Sequence, residues 1–163
     1  MQIVAGIPCI IAKQIARDQM HLIEQDAAEV RRCITGNLLL GRMILEEAPN
    51  KIGFDSICVA LRTCYIVAEL TNDESLMRVI AGCEKPMKAI MDREIKTGVL
   101  SMLPLERATI MATSERVLSD LDSFGDADLT MAYSHYLAEQ QAARKAQAPM
   151  NRAARRAAAK REK

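Results

Sequence analysis

At 163 residues the chain is long enough for one domain with a proper core. Half of it is apolar, built on Ala, Leu, Ile and Met with no Trp, two Phe and three Tyr, and its seven Gly and five Pro are few for an all-β chain. The formal net charge of +1 hides a segregation: of 22 basic and 21 acidic residues, 141–163 hold eight basic and one acidic, so the tail carries +7 and the first 140 residues −6.

From Pro8 to Ile34 the apolar positions Ile11, Ile15, Leu22, Ile23, Ala27, Val30 and Ile34 fall on one face of a helix, with Pro8 in its first turn. Gly36-Asn37 is expected to break or kink that helix. Leu38 to Glu47 then forms a short, densely apolar helix, expected at the centre of the fold because apolar residues cover much of its circumference. Pro49-Asn50 closes it.

Phe54, Ile57, Cys58, Leu61, Cys64, Tyr65 and Ala68 make the next stripe, ending near Leu70. Thr71 followed by Glu74 has the spacing of a capping box, with Asn72 or Asp73 as alternative caps. The stripe Leu76, Val79, Ile80, Cys83, Met87, Ile90 and Met91 runs through Pro86, which is expected to kink its helix. Thr97-Gly98 is a stop signal. Ser101 to Pro104 opens a helix with Leu105, Ile110, Met111, Val117, Leu118 and Leu121 on its face. Phe124-Gly125-Asp126 is a turn, with Asp126 as cap for a last helix from Ala127 to about Ala146, and Pro149 separates that helix from the tail. The expectation is an all-α protein: a bundle of five or six helices over 1–146 and a flexible basic Ala/Arg-rich tail over 147–163.

Cys9, Cys33, Cys58, Cys64 and Cys83 have no regular spacing, and with two His they complete no zinc pattern. They read as packed, reduced thiols. No stretch reaches the roughly 18 apolar residues of a membrane span, and the apolar start lacks the basic flank of a signal peptide. The expected location is the cytoplasm.

Asp18, His21 and Glu24 have the carboxylate–imidazole spacing of half a di-iron site, but Ala132 three residues before His135 leaves the second half missing. The clustered Asp120, Asp122, Asp126 and Asp128 lack calcium-loop spacing and suit helix capping or a surface for the tail. Met77, Met87, Met91, Met102, Met111 and Met131 serve either as core filler or as an adaptable groove. No phosphate loop or hydrolase motif is present, so the chain is expected to be non-enzymatic, without cofactor or metal.

The tail is the strongest functional signal. If it is helical, Arg152, Arg156, Lys160 and Lys163 lie along one face, with Arg155 close beside it. Like charges four apart repel, and a phosphate backbone would relieve that repulsion. No aromatic residue interleaves the charges, so base stacking is not available there. Arg152, Arg155, Arg156, Lys160 and Arg161 are therefore the candidate nucleic-acid contacts, an acidic protein surface being the other polyanion. The alternative is a protein–protein interaction module, such as a phage-type inhibitor or accessory subunit, acting through the acidic body with an incidental tail. Self-association into a homo-oligomer is compatible with either.

Overall fold

The computed structural model describes residues 27–161, with side chains through residue 144. Six α-helices occupy almost all of it: α1 (Ala27–Glu47), α2 (Lys51–Thr71), α3 (Glu74–Ala81), α4 (Glu84–Thr97), α5 (Pro104–Asp120) and α6 (Asp126–Arg161), with a 3-10 turn at Leu121–Ser123. The described residues contain no strand, and the all-α expectation holds. The Asp18, His21 and Glu24 trio lies outside them.

The centre of the bundle is α2, which packs on α1, α3, α5 and α6. From Gly53 to Leu61 every residue of α2 is buried. Two of its polar residues satisfy themselves: Ser56 Oγ donates to the Ile52 carbonyl at 2.9 Å and Thr63 Oγ1 to that of Val59 at 3.0 Å. Hydroxyls bonded to their own helix can be buried without loss.

Leu38 to Glu47 is not the central helix. It is the second half of α1, which runs unbroken through Gly36-Asn37. Asn37 is held in the helix by its Nδ2, which donates to the Cys33 carbonyl at 3.1 Å. The buried series Val30, Ile34, Leu38, Gly41 and Leu45 is continuous across the expected break, and burial of that series outweighs the roughly 1 kcal/mol that a mid-helix glycine costs. The opposite side of the same half leaves Leu39, Leu40 and Met43 exposed.

Helices α1 and α2 approach at two glycines. A Cβ at Gly41 would lie 2.8 Å from the Gly53 carbonyl oxygen and 2.5 Å from Ile57 Cγ1, and one at Gly53 would lie 2.6 Å from Ile44 Cγ2. The connection is short because Asn50 caps α2, its side chain accepting from the Gly53 N–H at 3.2 Å.

The capping box at Thr71 is replaced by the alternative cap. Thr71 ends α2 with its hydroxyl donating back to the Val67 carbonyl, Asn72 turns left-handed at φ 55°, and Asp73 caps α3 by accepting from the Leu76 N–H. Nor does Pro86 kink a continuous helix. The chain leaves the helix at Gly82-Cys83 and Pro86 falls in the first turn of α4, where a missing N–H does no harm. Gly98 stops α4 at φ 73° as expected, and Pro104 starts α5.

The core face of α5 is Ile110, Thr113, Ser114 and Val117, followed by Leu121; Leu105, expected on that face, is 79 % exposed. Asp126 is the first residue of α6 rather than its cap, and its carboxylate receives Arg31 instead of a backbone N–H. The backbone of α6 continues through Pro149 to Arg161, so the proline does not end the helix.

Candidate functional site

Arg152, Arg155, Arg156, Lys160 and Arg161 all lie on the backbone of α6, in the part whose side chains are outside the described residues. Helical backbone places positions 152, 156 and 160 at successive turns. The described body supplies the opposite charge and the rigid frame from which that helix emerges.

The frame is tied together by arginines whose partners are distant in sequence. Arg31 on α1 donates to the carbonyls of Leu121 and Phe124, the latter at 2.9 Å, and pairs with Asp126 at 2.9 Å. One guanidinium thereby fixes the α5–α6 joint. On α2, Arg62 makes a two-pronged pair with Glu139 of α6, Nε meeting Oε2 at 3.0 Å, and its guanidinium carbon lies 5.7 Å from the centre of the Tyr65 ring. Burial acts to lower the Arg62 pKa, but the Glu139 carboxylate outweighs it and holds the guanidinium firmly charged. Arg93 on α4 pairs in the same forked way with Glu106, Nη1 to Oε1 at 2.9 Å, and also donates to the Ser101 carbonyl at 3.0 Å. Glu106 accepts in turn from the Leu103 N–H at 2.8 Å and so starts α5. The Arg93 hydrogen bond is the main reason its carboxyl sits below the usual range.

A polar seam is buried along α2. Lys51 Nζ stands 3.4 Å from both Asp55 and Glu94, joining the start of α2 to the end of α4. One turn after Asp55 comes Cys58, and both act on Tyr136 of α6, whose ring centre lies 6.2 Å from that of Tyr133. Burial pushes the Cys58 thiol well up, the Asp55 charge adding to the effect, and pushes Cys64 to about 12. Cys83 is raised for the same reason, and both tyrosines are raised above their ordinary range by burial. A thiol held protonated near neutral pH is a poor nucleophile, so these residues pack rather than react.

The acidic cluster divides its labour among structural contacts: Asp126 meets Arg31, Asp120 meets Arg116 at 2.7 Å, and Asp128 lies against Gly125. Among the described residues no three His, Cys, Asp or Glu side chains are grouped to hold a metal ion, and no helix is long and apolar enough to cross a membrane. His135 stands exposed on α6. Of the methionines, Met87 is fully buried and Met77, Met91, Met102 and Met111 pack against the core, while Met131 is half exposed. They fill gaps that aromatic residues fill in other cores.

Two surface features carry no signal in the sequence. Leu39, Leu40 and Met43 form an outward face on α1, and Ile95, Val99, Leu103 and Leu105 are exposed around the α4–α5 connection. Periodicity shows that a helix has apolar residues on two sides, but only packing shows which side is covered. No protein-family model, curated protein or solved structure matches this chain.

Proposed function

We propose that the chain is a non-enzymatic, cytoplasmic binding protein whose basic C-terminal stretch contacts a polyanion, nucleic acid foremost. The observation that carries this reading is the charge segregation: eight basic residues against one acidic in 141–163, on a chain whose remainder is acidic. The helical backbone of α6 through Arg161 supports it, because a charged ladder on a continuous helix can follow a phosphate backbone. Arg152, Arg155, Arg156, Lys160 and Arg161 are the proposed phosphate contacts. Binding through phosphate contacts is indifferent to base sequence, and with no aromatic residue in the stretch base stacking adds nothing to it.

The test is fluorescence anisotropy of labelled single- and double-stranded oligonucleotides with the full-length chain over a salt series. Five phosphate contacts on duplex DNA predict a slope of about −4.5 in log K against log salt. Replacing all five residues with Ala should remove most of the affinity and flatten the slope. Absence of binding at low salt, or a slope unchanged by the five substitutions, overturns the reading.

A second reading, an interaction module working through the helical body, is favoured by the exposed apolar residues at the α4–α5 connection. Capture of a protein partner that survives the five Ala substitutions and fails on Leu105→Lys would establish it.

A further inference from the structure

The outward face of α1 has an order that the described residues do not use. Gly36, Leu39, Leu40 and Met43 follow the i, i+3, i+4, i+7 spacing of a helix-pairing seam, and Leu39, Leu40 and Met43 are 51 %, 37 % and 50 % exposed. Arg32, with a side chain 75 % exposed, flanks the seam at one end, and the exposed Glu46 and Glu47 flank it at the other. Along the helix the order is therefore basic, small, apolar, large, acidic.

Gly36 is the most telling member. It lies mid-helix with ordinary negative φ, and a Cβ there would meet nothing within 4 Å. No contact among the described residues needs a glycine there, although one in this position costs its helix about 1 kcal/mol relative to Ala. A glycine facing open space on an apolar face is what a closely approaching second helix requires. The C-terminal end of α1 adds a second anomaly, for Glu46 and Glu47 sit where the helix dipole is negative and the last turn holds no basic residue.

We propose that α1 pairs antiparallel with α1 of a second copy about a two-fold axis passing between Leu39 and Leu40. In that register Leu39 of each copy meets Leu40 of the other, Met43 of each enters the notch left by Gly36 of the other, and Arg32 of each faces Glu47, with Glu46 beside it. Both anomalies are then resolved at once. The glycine admits the methionine, and the acidic helix end gains a cation. A parallel arrangement would oppose Arg32 to Arg32 and leave Gly36 against Gly36 with a void, so size and charge select the antiparallel one. A single helix face buries less than the roughly 1,200 Å² typical of stable complexes, so the dimer is weak and its dissociation constant lies in the micromolar range.

Sedimentation equilibrium of the full-length, nuclease-treated chain from low micromolar to millimolar concentration tests this. The wild type should pass from monomer to dimer across that range. Met43→Lys, on an exposed position, should weaken the dimer at least tenfold with an unchanged melting curve. Arg32→Glu alone and the pair Glu46→Arg/Glu47→Arg alone should each weaken it, and the three together should restore it, because each reversed charge then meets a reversed partner. A chain that stays monomeric to millimolar concentration overturns the proposal. So does a dimer that ignores these substitutions, which would place another segment or face at the interface, or a combined variant that fails to recover.

Discussion

Gly41 and Gly53 face each other where α1 crosses α2, so close that a Cβ on the first would stand 2.8 Å from the carbonyl oxygen of the second. That oxygen belongs to backbone and cannot swing aside, so the crossing depends on the absence of a side chain. Gly41→Ala should therefore destabilise the fold by about 1–3 kcal/mol despite the better helix propensity of Ala. Gly36→Ala, on the same helix but in open space, should stabilise it by about 0.5–1 kcal/mol. Urea denaturation of both variants checks the contrast; equal effects in one direction would contradict the close approach.

Arg62 and Glu139 join the central helix to α6 with the guanidinium side chain only 13 % exposed. Glu139→Ala leaves that charge short of its partner and should cost about 1–2 kcal/mol. Removing both, as Arg62→Met with Glu139→Ala, should cost less than the sum of the single changes, and a double-mutant cycle by chemical denaturation measures the difference.

Arg31 serves two carbonyls and one carboxylate at the α5–α6 joint. Arg31→Met keeps the apolar stem and removes every donor, so about 2–3 kcal/mol should be lost. Asp126→Asn removes only the charge and should cost under about 1 kcal/mol, because its carboxylate is largely exposed. Thermal melts of the two variants separate these contributions.

Cys58, Cys64, Cys83, Tyr133 and Tyr136 are all raised by burial, so the fold favours their neutral, protonated forms. The unfolded chain gives up its thiol protons near the ordinary 9.0, whereas Cys64 keeps its proton in the fold up to about 12. The folded state thus binds more protons than the unfolded state in that interval. This contribution is complete below pH 9 and is lost as pH rises toward 12, at about 1.4 kcal/mol per unit for each thiol fully within its window. Stability measured by denaturant at a series of pH values should fall steeply above pH 9. At neutral pH an aromatic disulfide reagent should modify these three thiols only as fast as the chain opens.

Much of this architecture was legible in the residues. The stripes Phe54 to Ala68, Leu76 to Ile80 and Met87 to Ile90 mark the buried sides of α2, α3 and α4, and Gly98 marks a stop, because these signals depend on nearest neighbours along one helix. What was missed depends on other helices. Gly36-Asn37 looks like a break until Leu38 and Leu45 are seen to be buried in the common core. Leu39, Leu40 and Met43 look like core until the described residues prove to cover the helix on its other side. Asp55, Ser56 and Thr63 disguised the central helix, since polar residues there are read as a solvent face, yet the hydroxyls turn back on their own carbonyls. Arg31, Arg62 and Arg93 could not be singled out, because their carboxylate partners lie 95, 77 and 13 residues away. For the candidate contacts of the C-terminal stretch, charge alone was the signal, and it remains the basis of the proposal.

The unbroken burial of Gly53 to Leu61 also bears on how this chain can vary. A helix with a wet side offers substitutions a free position every three or four residues, and drift over time writes that rhythm into its descendants. Here neutral change has no such outlet for two and a half turns. Variation in a saturation library should show this segment as a solid block of intolerance, while α1 beside it alternates. The segment would then be the most durable signature by which distant kin of this chain could be found.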